Sequence, residues 1–263
     1  MEWLSVIILA VIQGITEFLP ISSDGHLAVG EALCESLFHV KFANKLGLTI
    51  VLHAGTFVAV LAFYWNRVWR LLGADIHVLG LLIIGTLPAV VTGMLLKVFA
   101  SHWLESPLLT GWLLLVNAAL LWWASHRPLG TLTYQELTWR QALVIGLFQA
   151  VAPLPGISRS GSTIGAGLWL GLKREDAATF SFLLSLPAVG GAIVLETIDI
   201  ARNGNAGLSW TILATGAAVS CFVGIFALRW LITWLQRGKL QYFALWCVPM
   251  GLAVIAWQMT IAR

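Results

Sequence analysis

The chain has 263 residues, 59% of them hydrophobic and 10% charged, with a mean hydropathy of +0.88. Soluble domains carry about 25% charged residues, so a water-soluble enzyme is excluded, and unbroken apolar runs approaching 20 residues exclude the alternating strands of a β-barrel. The net charge of +3 bears on orientation in a membrane rather than on nucleic-acid binding. Cys34, Cys221 and Cys247 are scattered and form no CxxC pair, so they read as buried apolar residues. Several of the 14 tryptophans, including Trp65, Trp69, Trp122, Trp123, Trp230 and Trp234, lie near the ends of apolar runs, where an interfacial belt belongs. The N-terminus lacks the basic start and clean apolar core of a signal peptide.

In chain order, residues 4–19 predict an apolar helix interrupted by Gln13 and Glu17, which are four apart and share a face. Pro20 stops it. The polar turn Ile21-Ser22-Ser23-Asp24-Gly25-His26 follows, and a short apolar segment runs from Leu27 to Leu33. The whole is too short and too polar in the middle for an ordinary span, and predicts a re-entrant hairpin over about 4–33. Three spans follow: Leu46 to Trp65, Val78 to Leu96 and Leu108 to Trp123. The polar stretch 129–140 is the longest soluble connection and divides the chain near its midpoint.

The pattern then begins again. Residues 141–172 predict a second hairpin, and Phe180 to Leu195, Trp210 to Trp234 and Phe243 to Ala262 predict three more spans. At one constant offset Gln13 aligns with Gln149, Ile21 with Ile157, Ser22 with Ser158 and Gly25 with Gly161. The expected fold is all-α and polytopic, one integrated membrane domain of two repeats, 1–128 and 141–263. Each repeat is a re-entrant hairpin plus three spans, and three is odd, so the second is inverted. Nine basic residues (Arg67, Arg70, Arg127, Arg140, Lys173, Arg174, Arg229, Arg237, Lys239) fall on one side. Five (Lys41, Lys45, Lys97, Arg202, Arg263) fall on the other. The larger group is expected in the cytoplasm, with both termini outside.

The stretch Pro155-Gly156-Ile157-Ser158-Arg159-Ser160-Gly161-Ser162-Thr163 sits between two apolar segments. A charge in such a setting marks a functional site. A guanidinium offers a donor fork that fits phosphate, and glycines such as Gly156 let the backbone approach a ligand. The alternative is a helix break with a snorkelling arginine. Meeting at the midplane, the two turns would combine Gln13, Glu17, Ser22, Ser23, Asp24 and His26 with Ser158, Arg159, Ser160, Ser162 and Thr163. That set suits phosphoryl transfer on a lipid. Arg159 would hold phosphate, and Glu17, with Gln13, would offer oxygens to a hard cation such as Mg²⁺. Ser22 or Ser23 would attack with His26 as base, or His26 would attack directly. Asp24 would be a further metal ligand or would orient His26. Ser22 and Ser158 also suit plain helix caps, and Asp24 a plain turn.

Residues 13–26 resemble the (E/Q)xxxE motif running into PxSSxGH, and residues 155–163 resemble PGxSRSxxT, the two signatures of the bacterial undecaprenyl-diphosphate phosphatases, also called bacitracin-resistance proteins. The resemblance implies removal of one phosphate from the C55 lipid diphosphate to regenerate the carrier for cell-wall synthesis. It implies a multi-pass protein of the bacterial inner membrane with an outward-facing site and a divalent cation, Mg²⁺ or Ca²⁺. It gives Glu17, Ser23, His26 and Arg159 catalytic roles. Ser22, Gly156, Ser158, Arg159, Ser160 and Thr163 become phosphate-binding residues, and Glu17, Gln13 and Asp24 metal ligands. Gln13 occupies a position where some members carry a carboxylate, and Asp24 one where a hydroxyl is frequent. The other large class of membrane lipid phosphatases needs a histidine after its Ser-Arg; here His126 is the last histidine. The alternative function is a carrier that flips polyprenyl phosphates. The expected partners are the lipid diphosphate, the surrounding membrane and a second copy of the chain, with no nucleic acid.

Overall fold

The computed structural model describes residues 2–39, 45–99, 106–203 and 209–261. Lys41 and Arg263, and the side chains of Lys45, Lys97 and Arg202, lie outside the described residues. Everything regular among those residues is helical: α1 (Glu2–Thr16), α2 (Ser23–Phe38), α3 (Lys45–Phe63), α4 (Trp65–Leu71), α5 (Ile76–Phe99), α6 (Pro107–Ser125), α7 (Trp139–Gln149), α8 (Arg159–Trp169), α9 (Arg174–Asn203), α10 (Trp210–Gln236) and α11 (Gln241–Ile261). Five of these are long and apolar enough to cross a membrane, and α3 with α4, bent by 80°, gives a sixth if the two count as one span. Large apolar side chains such as Val91, Met94 and Leu95 on α5 and Phe222 and Phe226 on α10 are exposed. Apolar surface on that scale needs lipid rather than water around it.

The sequence leads to these elements by familiar routes. In α1, Val6, Leu9, Ala10 and Gln13 are buried at helical spacing, and at 15 residues the helix is about 22 Å long, well short of a hydrocarbon core. α1 packs on α2, α3 and α10, and α7 packs on α5 and α8. α8 is buried on nearly all sides, from Ser160 to Leu168, and forms the centre of the molecule against α6, α7 and α9. Gly55 on α3 lies so close to α10 that any Cβ there would overlap the Ala217 carbonyl and the Ser220 hydroxyl. Small residues permit such approaches between membrane helices.

Two expectations need correction. α2 continues to Phe38, past the hairpin limit near 33. The third element does not run straight to Trp65: it breaks at Tyr64, buried between the Phe63 and Phe182 rings, and α4 turns away with Trp65 and Trp69 exposed. The 129–140 connection is fastened to the helices beside it. Leu132 donates to the Gly171 carbonyl (3.1 Å) and accepts from Lys173 N–H (2.9 Å), and Tyr134 N–H donates to Asp176 (3.2 Å). At this end of the molecule Arg67 pairs with Glu175 (3.2 Å) and Arg70 with Asp75 (3.1 Å), gathering part of the larger basic group.

Candidate active site

Beyond Thr16 helical bonding continues, with Glu17 N–H donating to the Gln13 carbonyl at 2.9 Å and Leu19 N–H to the Ile15 carbonyl at 3.2 Å. Pro20 then ends it. Ser22 takes φ 69°, a left-handed conformation that a residue with a Cβ rarely adopts. A site of this kind costs on the order of 1–3 kcal/mol and persists because the surroundings hold it. His26 is one of the holders: its Nδ1 donates to the Ser22 carbonyl (2.8 Å) and its Nε2 accepts from the Trp246 indole N–H (3.0 Å). The turn leaves the Ser23 hydroxyl donating to Glu17 Oε2 at 2.9 Å.

In the second turn Ser158 caps α8, its hydroxyl accepting from Gly161 N–H at 3.1 Å. Gly156 has φ 98° and lies against α6, where a Cβ would meet the Thr110 carbonyl at 2.5 Å, so only glycine fits. Asn117, fully buried on α6, joins the two turns. Its amide N–H donates to the Pro20 carbonyl (3.0 Å) and its oxygen accepts from Ser158 N–H (3.1 Å). Ser160 donates to the Phe18 carbonyl (3.1 Å), a second bond between the turns.

The turns meet most directly at Arg159 and Glu17, whose Nη2 and Oε1 are 2.7 Å apart with both side chains largely buried. Glu17 Oε2 also accepts from Gln13 (3.1 Å) and faces His53 Nε2 at 3.4 Å. A buried ion pair is tolerated only with such additional bonds. The guanidinium is not exhausted: Nη1 is buried without a partner. A cavity of about 450 Å³ opens here, lined by Glu17, Ser22, Ser23, Asp24, His53, Gln149, Ser158 and Arg159 on its polar side and by Val90, Val189 and Ile193 on its apolar side. Charge at one wall and alkyl surface at the other suit an amphiphile with an anionic head.

Residues 6–253 match the model of the family described as Bacitracin resistance protein BacA. The chain belongs to that family. It is 47% identical over 255 residues to the undecaprenyl-diphosphatase of Rhodopirellula baltica, covering 97% of each chain. It is 41% identical over 261 residues to undecaprenyl-diphosphatase 3 of Bacillus cereus, covering 99% of each. It is 39% identical over 278 residues to the undecaprenyl-diphosphatase of Desulfatibacillum aliphaticivorans, covering 97% of this chain and 98% of that one.

In this BacA-family chain the sequence-named residues divide into two groups. Glu17, Ser22, Ser23, Asp24, Ser158 and Arg159 line the cavity. Gln13 stands behind Glu17, Gly156 against α6, and Ser160 between the turns. Thr163 bonds Ser181 on α9 at 2.6 Å, and both ring nitrogens of His26 are engaged by Ser22 and Trp246. The sequence reading passes over His53 and Asn117, and treats Gln149 only as a repeat partner. His53 and Asn117 each sit in the middle of an apolar helix, and that rarity is the signal by which they are found; Gln149, at the end of α7, carries it more weakly.

Among the described residues no three His, Cys, Asp or Glu side chains converge as a metal cage. Glu17 is saturated by Arg159, Gln13 and Ser23, and the adjoining guanidinium and imidazole disfavour a dication there. Asp24 is exposed toward the cavity and Gln13 Oε1 is a buried acceptor without a partner. Gln13 is fully buried and does not line the cavity, so this donor set does not fit an all-protein site; Asp24 would hold a cation only with substrate oxygens as the remaining ligands, the usual way Mg²⁺ is held.

Proposed function

We propose that this chain hydrolyses undecaprenyl diphosphate to undecaprenyl phosphate and inorganic phosphate, as the names of its relatives say of them, and so confers bacitracin resistance. The observation that carries the reading is the continuous chain Ser23–Glu17–Arg159 at the wall of the cavity. Ser23 is the nucleophile. Its hydroxyl already donates to Glu17, so Glu17 takes the proton as the serine oxygen attacks the terminal phosphorus. The bond from that phosphorus to the bridging oxygen breaks, and the lipid monophosphate leaves. Water then releases phosphate from the seryl ester, with Glu17 returning the proton. The free Nη1 of Arg159 and the N-terminus of α8 face the charge on the transferred group. His26 serves by pinning the Ser22 carbonyl, and His53 steadies Glu17. His53 Nδ1 donates to the Thr49 carbonyl (2.8 Å), so its Nε2 faces the carboxylate stably only with a proton between them. A divalent cation at Asp24, bound with the substrate, would neutralise diphosphate charge.

The inverted repeat belongs to the same reading. It is supported by reciprocal packing: α1 on α10 answers α7 on α5, α3 on α10 answers α9 on α5, and the counterparts α6 and α11 pack on each other. The hairpins α1–α2 and α7–α8 are re-entrant, the site opens to the outer face of the inner membrane, and both termini lie outside.

The test is release of phosphate from a polyprenyl diphosphate by purified protein in detergent, with no membrane to cross. Activity is expected with a divalent cation and is abolished in Glu17→Ala, Ser23→Ala and Arg159→Ala. A folded protein that binds the lipid diphosphate and yields no phosphate would instead be the flipping carrier.

A further inference from the structure

We infer that Gln149 is a substrate-binding residue whose side-chain amide holds the lipid-side phosphate of the diphosphate while Arg159 holds the terminal one. The inference rests on the phosphatase reading and extends it to a second phosphate subsite. Gln149 is the last residue of α7 and is 1% exposed. It lines the same cavity as Ser23 and Arg159. Neither Nε2 nor Oε1 of its amide has a hydrogen-bond partner. Buried amides are almost always paired, and an unpaired one is destabilising. One kept in the wall of a ligand cavity is completed by the ligand.

The two hairpins explain why this amide is free. By the constant offset Gln13 is the counterpart of Gln149 in the first hairpin, in the last turn of α1. Four residues on stands Glu17, which accepts the Gln13 N–H at 3.1 Å. Four residues after Gln149 stands Pro153, which has no side-chain acceptor. The same side chain is thus engaged internally in one hairpin and left to the cavity in the other. The assignment of phosphates follows from the attacking group. Ser23 and Arg159 both touch Glu17, so the phosphate under attack sits with them. Gln149 comes from a different helix and takes the phosphate that stays on the lipid. An uncharged donor suits that role, because it binds the diphosphate without holding the monophosphate product as tightly as a second cation would.

The test uses full-length protein in detergent with farnesyl diphosphate as substrate, and farnesyl phosphate and inorganic phosphate as inhibitors. Gln149→Met keeps the length and removes the amide; Gln149→Glu keeps the shape and replaces the donor with an anion. KM is expected to rise about tenfold in Gln149→Met, the effect of one hydrogen bond to a charged group, and further in Gln149→Glu. The inhibition constant of farnesyl phosphate rises in parallel, that of inorganic phosphate does not move, and kcat changes little. The Gln149→Met protein melts no earlier than wild type, since it loses an unsatisfied group. An unchanged KM in either variant overturns the inference. So do equal shifts in both inhibition constants, or loss of fold in both variants, which would make the amide a packing group. A folded wild-type protein that releases no phosphate overturns the phosphatase reading itself.

Discussion

Glu17 and Arg159 each stand at a helix end that disfavours their charge. Glu17 follows the C-terminus of α1 and Arg159 begins α8, the reverse of what helix dipoles favour. Each charge is tolerable because the other is 2.7 Å away. Arg159 also serves in two directions, with Nη2 on Glu17 and Nη1 unpartnered. A lysine has one charged nitrogen and cannot do both, so Arg159→Lys should lower kcat on the order of 10²-fold or more while the protein stays folded. The role of His26 is open to a similar test. Asparagine places an N–H close to where Nδ1 lies and can still donate to the Ser22 carbonyl, whereas alanine cannot. His26→Asn should therefore retain much more turnover than His26→Ala, with an unchanged pH profile; equal inactivity of the two would return His26 to the role of base. The two motifs name most of these residues in the sequence. They do not tell which histidine reaches the cavity, because His26 and His53 differ only in what the fold sets against them.

At the level of elements, helix contacts decide which glycines matter. A methyl group at Gly55 would collide with backbone and hydroxyl of α10, whereas at Gly80 on α5 nothing lies within 4 Å. Gly55→Ala should destabilise by about 1–3 kcal/mol or more through overpacking. Gly80→Ala should stabilise by about 0.5–1 kcal/mol by stiffening the helix. Thermal unfolding in detergent measures both. The apolar runs in the sequence locate every long helix, but not how far each extends. α9 begins at Arg174, not near Phe180, because Glu175 and Asp176 in its first turn suit a helix N-terminus even though they do not suit lipid. The break at Tyr64 was not legible either. It has no proline or glycine to announce it and depends on an aromatic cluster with Phe182, more than a hundred residues away.

For the whole molecule, the division of basic residues predicts which face meets the cytoplasm. In a background lacking Cys34, Cys221 and Cys247, an impermeant thiol reagent applied to intact cells should label Glu2→Cys and leave Leu129→Cys unlabelled. The opposite pattern would invert the proposed orientation. The proposed division into two halves comes from the sequence, where motif and span order recur. The interleaving of the halves is not legible there, since no local pattern reports that α1 lies on α10 as well as beside its own sequence neighbours.

That interleaving bears on how the protein is made. Glu17 leaves the ribosome 142 residues before Arg159, which at bacterial and eukaryotic elongation rates of about 5–20 residues per second is a delay of roughly 7–30 s. Through that interval the nascent first hairpin carries a carboxylate without its arginine partner, and α1 has α2 and α3 beside it but still lacks α10. The first hairpin is therefore expected to settle into lipid only after the second has emerged, so that deep burial of Glu17 waits for Arg159.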